Sequence, residues 1–103
     1  MPKFFEVIYY PTATYDVNNI LNYISIDNPP AAIKLINKID GAISSLSQFP
    51  RKGITPKDFN LKSKNYRLLI VDSYIVFYIV NDLLSVIEIM RVLSSKQSYL
   101  SIL

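Results

Sequence analysis

The spacing of apolar positions changes along the chain from that of a strand to that of helices, and then back to that of strands. Residues from Lys3 to Tyr9 are rich in aromatic and β-branched side chains and are followed by Pro11, which predicts a first strand. From Thr12, which suits an N-cap, the apolar spacing becomes three and four residues and predicts an amphipathic helix that ends near Ile26. The residues that set this spacing are Ala13, Val17, Ile20, Leu21 and Ile24.

A pair of prolines separates this helix from a second one. Pro29 and Pro30 stop the first helix and suit the opening turn of the next, which is predicted from about Pro30 to Ser47. Gly41 lies inside it at a cost of roughly 1 kcal/mol relative to alanine. The apolar stripe consists of Ala32, Leu35, Ile36, Ile39, Ile43 and Leu46. Because the connection is short, the helices should form an antiparallel hairpin whose apolar faces cover a sheet.

Three apolar runs follow, from Tyr66 to Val71, Tyr74 to Val80 and Leu84 to Val92. Links of two or three residues permit only hairpins, so these runs should form an antiparallel meander with the middle run as an interior strand. The tail is expected to form a final turn or short helix that carries Tyr99, Leu100 and Leu103. The pattern therefore predicts one α+β domain over residues 1–103, of order β-α-α-β-β-β, with a helical hairpin packed on an antiparallel sheet.

Composition excludes several classes of functional site. The 103 residues contain no cysteine and no histidine, so disulfides, thiolate metal sites, and Ser-His, Cys-His or His-metal sites are excluded. Proton transfer would fall to Glu, Asp, Lys, Arg or Tyr. The carboxylates show no metal-ligand spacing and the two glycines build no phosphate loop, so we expect neither a metal nor another cofactor. The longest apolar run is far short of the roughly 20 residues that span a bilayer, which favours a cytoplasmic protein without membrane contact.

Positive charge is concentrated in one segment. The net charge is +3, yet the segment from Arg51 to Arg67 contains six cations and only one carboxylate, Asp58. This asymmetry favours an anionic partner, either a phosphate backbone or an acidic protein segment, although a solvated loop would show the same pattern. The residues expected to contact the partner are Arg51, Lys52, Lys57, Lys62, Lys64, Tyr66 and Arg67.

Two arginines, Arg67 and Arg91, interrupt otherwise apolar strands. A guanidinium beside a core is costly unless it is solvated or paired. Either both arginines reach an open groove, where they would bind phosphate or carboxylate, or they form ordinary salt bridges, with Glu88 a candidate partner. Tyr66, beside Arg67, would be able to stack on a base or donate a proton, whereas most tyrosines simply lie at the edge of a core.

Several short motifs occur in a recognisable order. They are Tyr23-Ile24, Asn28-Pro29, the pair Ala32 and Ile39, Leu46 to Gly53, Tyr66 to Leu69, Tyr74 to Tyr78, and Ile87 to Leu93. Their order and spacing resemble the RelE/ParE family of bacterial toxins. The resemblance implies a growth-inhibiting toxin of a type II toxin-antitoxin pair, neutralised in a hetero-oligomer by a cognate antitoxin. It implies one of two targets, DNA gyrase or the mRNA on the ribosome, and the shared fold does not choose between them.

The residues that the resemblance would assign to RNA cleavage are Arg67 and Arg91 as phosphate-binding cations and Tyr99 as a substitute acid. Where many relatives have a histidine or basic residues after the last strand, this chain has Ser94 and Ser95. A serine hydroxyl is neither a cation nor a useful base near neutral pH. The missing base and the long helical hairpin favour a ParE-like inhibitor of gyrase. The alternatives are a RelE-like ribosome-dependent endoribonuclease and an inactive relative that only binds an antitoxin.

Overall fold

Four strands form one mixed sheet, with two long helices on one face, in a computed structural model that describes residues 4–103. The elements are β1 (Glu6–Tyr9), α1 (Pro11–Ser25), α2 (Pro29–Ser45), α3 (Phe59–Ser63), β2 (Tyr66–Val71), β3 (Tyr74–Asn81), β4 (Val86–Ser94) and α4 (Tyr99–Ile102). The strand order is β1-β4-β3-β2. The predicted α+β fold, with a helical hairpin on the sheet, is confirmed.

The sheet is antiparallel among its last three strands, as expected, whereas β1 pairs with β4 in parallel. The parallel pairing is possible because both long helices lie between β1 and the rest of the sheet in sequence, and a parallel pair needs such a long connection. β3 lies between β2 and β4, which confirms its interior position. The predicted start of the first strand at Lys3 lies outside the described residues.

The ends of the long helices are set by prolines. α1 begins at Pro11, so Thr12 is not its N-cap; the Thr12 hydroxyl instead donates to the backbone oxygen of Met90 at 2.7 Å. α2 begins at Pro29, where the side chain of Asn28 accepts a hydrogen bond from the N–H of Ala31 at 3.1 Å. Both first turns therefore use the fixed φ of proline at a position where its missing N–H costs nothing.

β4 begins two residues later than the sequence pattern predicts. The side chain of Asn81 accepts a hydrogen bond from the N–H of Leu84 at 3.0 Å, and Ser85 has a φ of 56°. This local turn removes Leu84 and Ser85 from the ladder, so Val86 is the first strand residue. Short polar side chains commonly compete with the ladder in this way.

The sheet carries a core on each face. The larger core lies under α1 and α2 and includes Ile39, Ile43 and Ile89. The smaller core lies on the opposite face, where Tyr99 and Leu103 of the tail pack against it; its buried members are Leu68, Ile75 and Phe77. The tail therefore forms the short helix that the sequence predicts. No helix within residues 4–103 is long and apolar enough to cross a membrane.

Candidate functional site

α1 covers the part of β4 that extends beyond β1. β1 pairs with β4 only as far as Tyr9 and Ile89, so the following residues of β4 have no strand on that side. Thr12 bonds to the backbone oxygen of Met90, as described above, and Oδ2 of Asp16 accepts a hydrogen bond from the N–H of Val92 at 2.9 Å. Side chains of α1 thus satisfy backbone groups that would otherwise form an exposed edge.

Asp16 also forms a bidentate ion pair with Arg91. Nε of Arg91 donates to Oδ2 at 2.7 Å and Nη2 donates to Oδ1 at 2.9 Å. The Asp16 side chain is only 6% exposed and that of Arg91 is 23% exposed. The hydrogen bonds that Arg91 donates to Asp16 raise the pKa of the Arg91 guanidinium further above its usual value, so Arg91 is charged at any physiological pH.

Arg91 therefore forms a salt bridge, which is one of the two interpretations given above. The prediction of Glu88 as a candidate partner was wrong. Oε2 of Glu88 instead accepts a hydrogen bond from the hydroxyl of Tyr10 at 2.6 Å. Asp16 was not predicted as a functional residue, although the sequence contains a signal for it. Ala13, Asp16 and Ile20 are the three buried residues of α1, and their spacing places a carboxylate in the buried stripe. A buried carboxylate on a helix requires a partner.

Arg67 lies on β2, with β3 between it and Arg91, and its side chain contacts the backbone of the basic segment. Its Nη1 donates to the backbone oxygen of Gly53 at 2.9 Å and approaches that of Arg51 at 3.5 Å. The buried hydroxyl of Tyr78 donates to the backbone oxygen of Pro50 at 2.8 Å and accepts from the N–H of Gly53 at 2.9 Å. The turn over residues 50–53 is therefore fixed by two strand side chains.

Gly53 is required by this arrangement. A Cβ at this position would lie 2.6 Å from the Tyr78 hydroxyl oxygen and 2.9 Å from the backbone oxygen of Leu68. Both distances are shorter than real Cβ contacts, and the second neighbour is backbone. The close approach of the turn to β2 and β3 is thus possible only without a side chain.

A cleft of about 500 Å³, here called the cationic cleft, lies between this turn, α3 and the sheet. Its charged lining residues are Arg51, Lys62, Arg67 and Asp82, and Tyr66 also lines it. The lining of the cleft therefore contains three cations and one carboxylate, and Arg51 forms an ion pair with that carboxylate. The cationic cleft unites four of the seven residues that were predicted to bind an anionic partner: Arg51, Lys62, Tyr66 and Arg67.

The other three predicted binding residues point elsewhere. Nζ of Lys52 donates to Oγ of Ser45 at 3.2 Å, and Nζ of Lys64 donates to the backbone oxygen of Leu103 at 3.3 Å. Lys57 lines a separate, mostly apolar groove between α3 and the tail. The basic segment is therefore one continuous stretch in sequence but divides into several surfaces in the fold.

The three residues predicted to cut RNA line three different clefts. Arg67 lines the cationic cleft, Arg91 lines a cleft between α1 and the end of β4, and Tyr99 lines the groove beside α3. The ring of Tyr99 packs edge-on against Phe77, with centroids 5.2 Å apart. Tyr66 also packs edge-on against the Phe77 ring, with centroids 6.4 Å apart. Burial raises the pKa of Tyr66, an effect that the nearby charge of Arg91 partly opposes.

Metal binding finds no support among the described residues, in which no three acidic side chains come together. The prediction that the protein uses no cofactor stays a prediction.

Comparison with known proteins identifies a family and a fold. The model of one family, described as the ParE toxin of the type II toxin-antitoxin system parDE, matches residues 7–99. No curated protein matches the chain. The chain is similar to a structure of the chromosomal ParDE toxin-antitoxin system from P. aeruginosa, with a TM-score of 0.73 and 17% identity over 88% of this chain and 96% of that one. It is also similar to the toxin-antitoxin complex RelBE2 from Mycobacterium tuberculosis, with a TM-score of 0.65 and 18% identity over 91% of this chain and 94% of that one.

Proposed function

Because this chain belongs to the ParE toxin family of type II toxin-antitoxin systems, we propose that it inhibits growth by binding DNA gyrase in the cytoplasm and is neutralised by a cognate antitoxin. The observation that carries the choice of gyrase over RNA cleavage is the bidentate pair between Arg91 and the buried Asp16. Under this proposal the protein acts as a binding inhibitor and has no active site.

RNA cleavage would require Arg91 to leave its partner for a scissile phosphate. Releasing Arg91 would leave Asp16 buried without compensation for its charge, which typically costs about 3–5 kcal/mol. The Asp16 carboxylate also accepts a hydrogen bond from the N–H of Val92, so β4 as well as Arg91 determines the position of this carboxylate.

A supercoiling assay with purified gyrase and purified toxin tests the proposal. We expect the toxin to inhibit supercoiling, and the product of a neighbouring antitoxin gene to restore it. Induction in cells should cause DNA damage without new mRNA 5′ ends in primer extension. Supercoiling that is unaffected by excess folded toxin would contradict the proposal.

One observation favours the alternative of a RelE-like endoribonuclease: Lys62, Tyr66 and Arg67 all line the cationic cleft. If the protein cuts mRNA, Arg67→Ala should abolish the new mRNA ends. Normal growth after induction without an antitoxin would favour a third possibility, that of an inactive relative which only binds an antitoxin.

A further inference from the structure

The cationic cleft has the chemistry of a binding site for carboxylates. We propose that it binds an acidic segment of a protein partner through the side-chain carboxylates of that segment. The identification of this partner as the neutralising antitoxin rests on the proposed function, whereas the choice of ligand chemistry rests on the cleft alone. Four features of the cleft support the inference. They are the ordered turn that contains Arg51, the exposed ion pair of Arg51 with Asp82, the unused N–H donors of Arg67, and the packing of Tyr66 against Phe77.

Arg67 and the turn that contains Arg51 are ordered before any partner binds. The hydroxyl of Tyr78 and Nη1 of Arg67 form hydrogen bonds with backbone groups of the turn over residues 50–53. Arg51 lies within this turn, and Arg67 is itself one of the cations. Groups that are already ordered lose less entropy on binding, so the hydrogen-bonded Arg67 guanidinium and the ordered backbone at Arg51 favour a specific complex.

The cleft already holds a carboxylate, that of Asp82, which is paired with Arg51. The two side chains are 53% and 62% exposed, so water competes with the pair and its contribution to stability is small. A carboxylate from a partner would therefore be able to replace Asp82 at little cost. Asp82 acts as an internal competitor for the site.

The other two cations retain donors for a ligand. Among contacts within residues 4–103, Arg67 donates only through Nη1, and a guanidinium has five N–H groups in all. Lys62 is exposed at the end of α3 and forms no ion pair with any described residue. Bidentate donation from arginine beside a lysine suits carboxylate oxygens.

A nucleic acid fits the cleft less well than an acidic peptide does. Proteins that bind single strands stack bases on free aromatic faces along a groove of cations. Tyr66, the aromatic residue of the cleft, is partly buried and packs against Phe77. Asp82 would also oppose a continuous row of phosphates, whereas a peptide with spaced carboxylates would be able to avoid it.

Fluorescence anisotropy with the purified full chain tests this inference. The probes are a labelled oligoglutamate peptide, a matched oligoglutamine peptide and a labelled oligouridylate, all at low ionic strength. We expect oligoglutamate to bind more tightly than either of the others. Lys62→Gln should weaken oligoglutamate binding about two- to fivefold. Lys57→Gln, which removes the same charge from the same basic segment but outside the cleft, should have a smaller effect.

A variant that binds oligoglutamate more tightly is a stronger test, because a loss of binding also results when a variant unfolds. Asp82→Asn removes the internal competitor and should tighten oligoglutamate binding about two- to fivefold. Asp27→Asn makes the same change in the connection between α1 and α2 and should tighten it less. Tighter binding of oligouridylate, equal losses in the two lysine variants, or equal gains in the two aspartate variants would overturn the inference. None of these measurements involves gyrase, so the inference and the proposed function fail independently.

Discussion

The carboxylate of Asp16 and the guanidinium of Arg91, which are 75 residues apart in sequence, form a bidentate pair at the edge of β4 where no strand continues the sheet. The same carboxylate accepts a hydrogen bond from the N–H of Val92. One buried side chain of α1 therefore fixes the position of α1 on the sheet and neutralises the arginine that the family resemblance assigned to phosphate binding.

Breaking this pair should destabilise the fold strongly. Asp16→Asn removes the charge that compensates Arg91, and we expect the free energy of unfolding to fall by about 3 kcal/mol, the lower end of the usual range because Arg91 is partly exposed. Urea unfolding followed by circular dichroism measures the loss. Asp72→Asn makes the same change in the exposed pair with Lys38 and should cost less than about 1 kcal/mol. Equal losses in the two variants would contradict a structural role for the buried pair.

Removing the hydroxyl of Tyr78 should loosen the turn over residues 50–53. Tyr78→Phe leaves the N–H of Gly53 without its buried partner, so we expect a loss of about 1–3 kcal/mol in the free energy of unfolding. Amide hydrogen exchange should show faster exchange at Gly53 than in the wild type. Tyr15→Phe alters an exposed hydroxyl and should leave both measurements unchanged.

The two glycines should respond in opposite directions to alanine. Gly53→Ala places a Cβ against Tyr78 and the backbone of Leu68, so the melting temperature should fall. Gly41→Ala adds a Cβ in open space inside α2 and should raise the free energy of unfolding by about 0.5–1 kcal/mol, since alanine favours the helix. Thermal unfolding of both variants tests the pair. Stabilisation by Gly53→Ala would show that the turn does not approach the sheet as described.

The fold should lose stability in alkali, in part through Tyr9. Burial, together with the hydrogen bond that its hydroxyl donates to Asp40 at 2.7 Å, raises the pKa of Tyr9 well above its usual value of 10.0. The unfolded chain therefore releases this proton first, and the contribution of Tyr9 to stability is complete below pH 10.0 and lost as the pH rises toward its folded pKa.

Urea unfolding at a series of pH values measures this effect. Tyr9→Phe removes the titrating group, so stability should fall less steeply above pH 10.0 than it does in the wild type. A slope that is unchanged in Tyr9→Phe would rule out the assigned role of Tyr9.

Much of the fold was predictable from the sequence because it follows from local burial patterns. The limits of β2 match the predicted run, and α2 differs from its predicted limits by one or two residues. α3 was missed because five residues are too few for apolar spacing to appear. The parallel pairing of β1 was also missed, since spacing along a strand contains no information about which neighbour the strand joins.

The candidate site was less predictable. The charge asymmetry defines a basic segment that includes Arg51, Lys62 and Arg67, but only the fold shows that these three residues share a cleft from which Lys52, Lys57 and Lys64 are absent. Glu88 was the candidate partner of Arg91 because it is close along the same predicted strand, whereas Asp16, the actual partner, is 75 residues away in sequence.

The sequence by itself determined the periodicity of each element, the family resemblance and the excess of positive charge, because all three are properties of neighbouring residues along the chain. Only the tertiary structure decided that Asp16 neutralises Arg91 and that Tyr78 and Arg67 hold the turn beneath the cationic cleft. Those contacts join residues that are far apart in sequence, and their geometry depends on how α1 and the basic segment pack against the sheet.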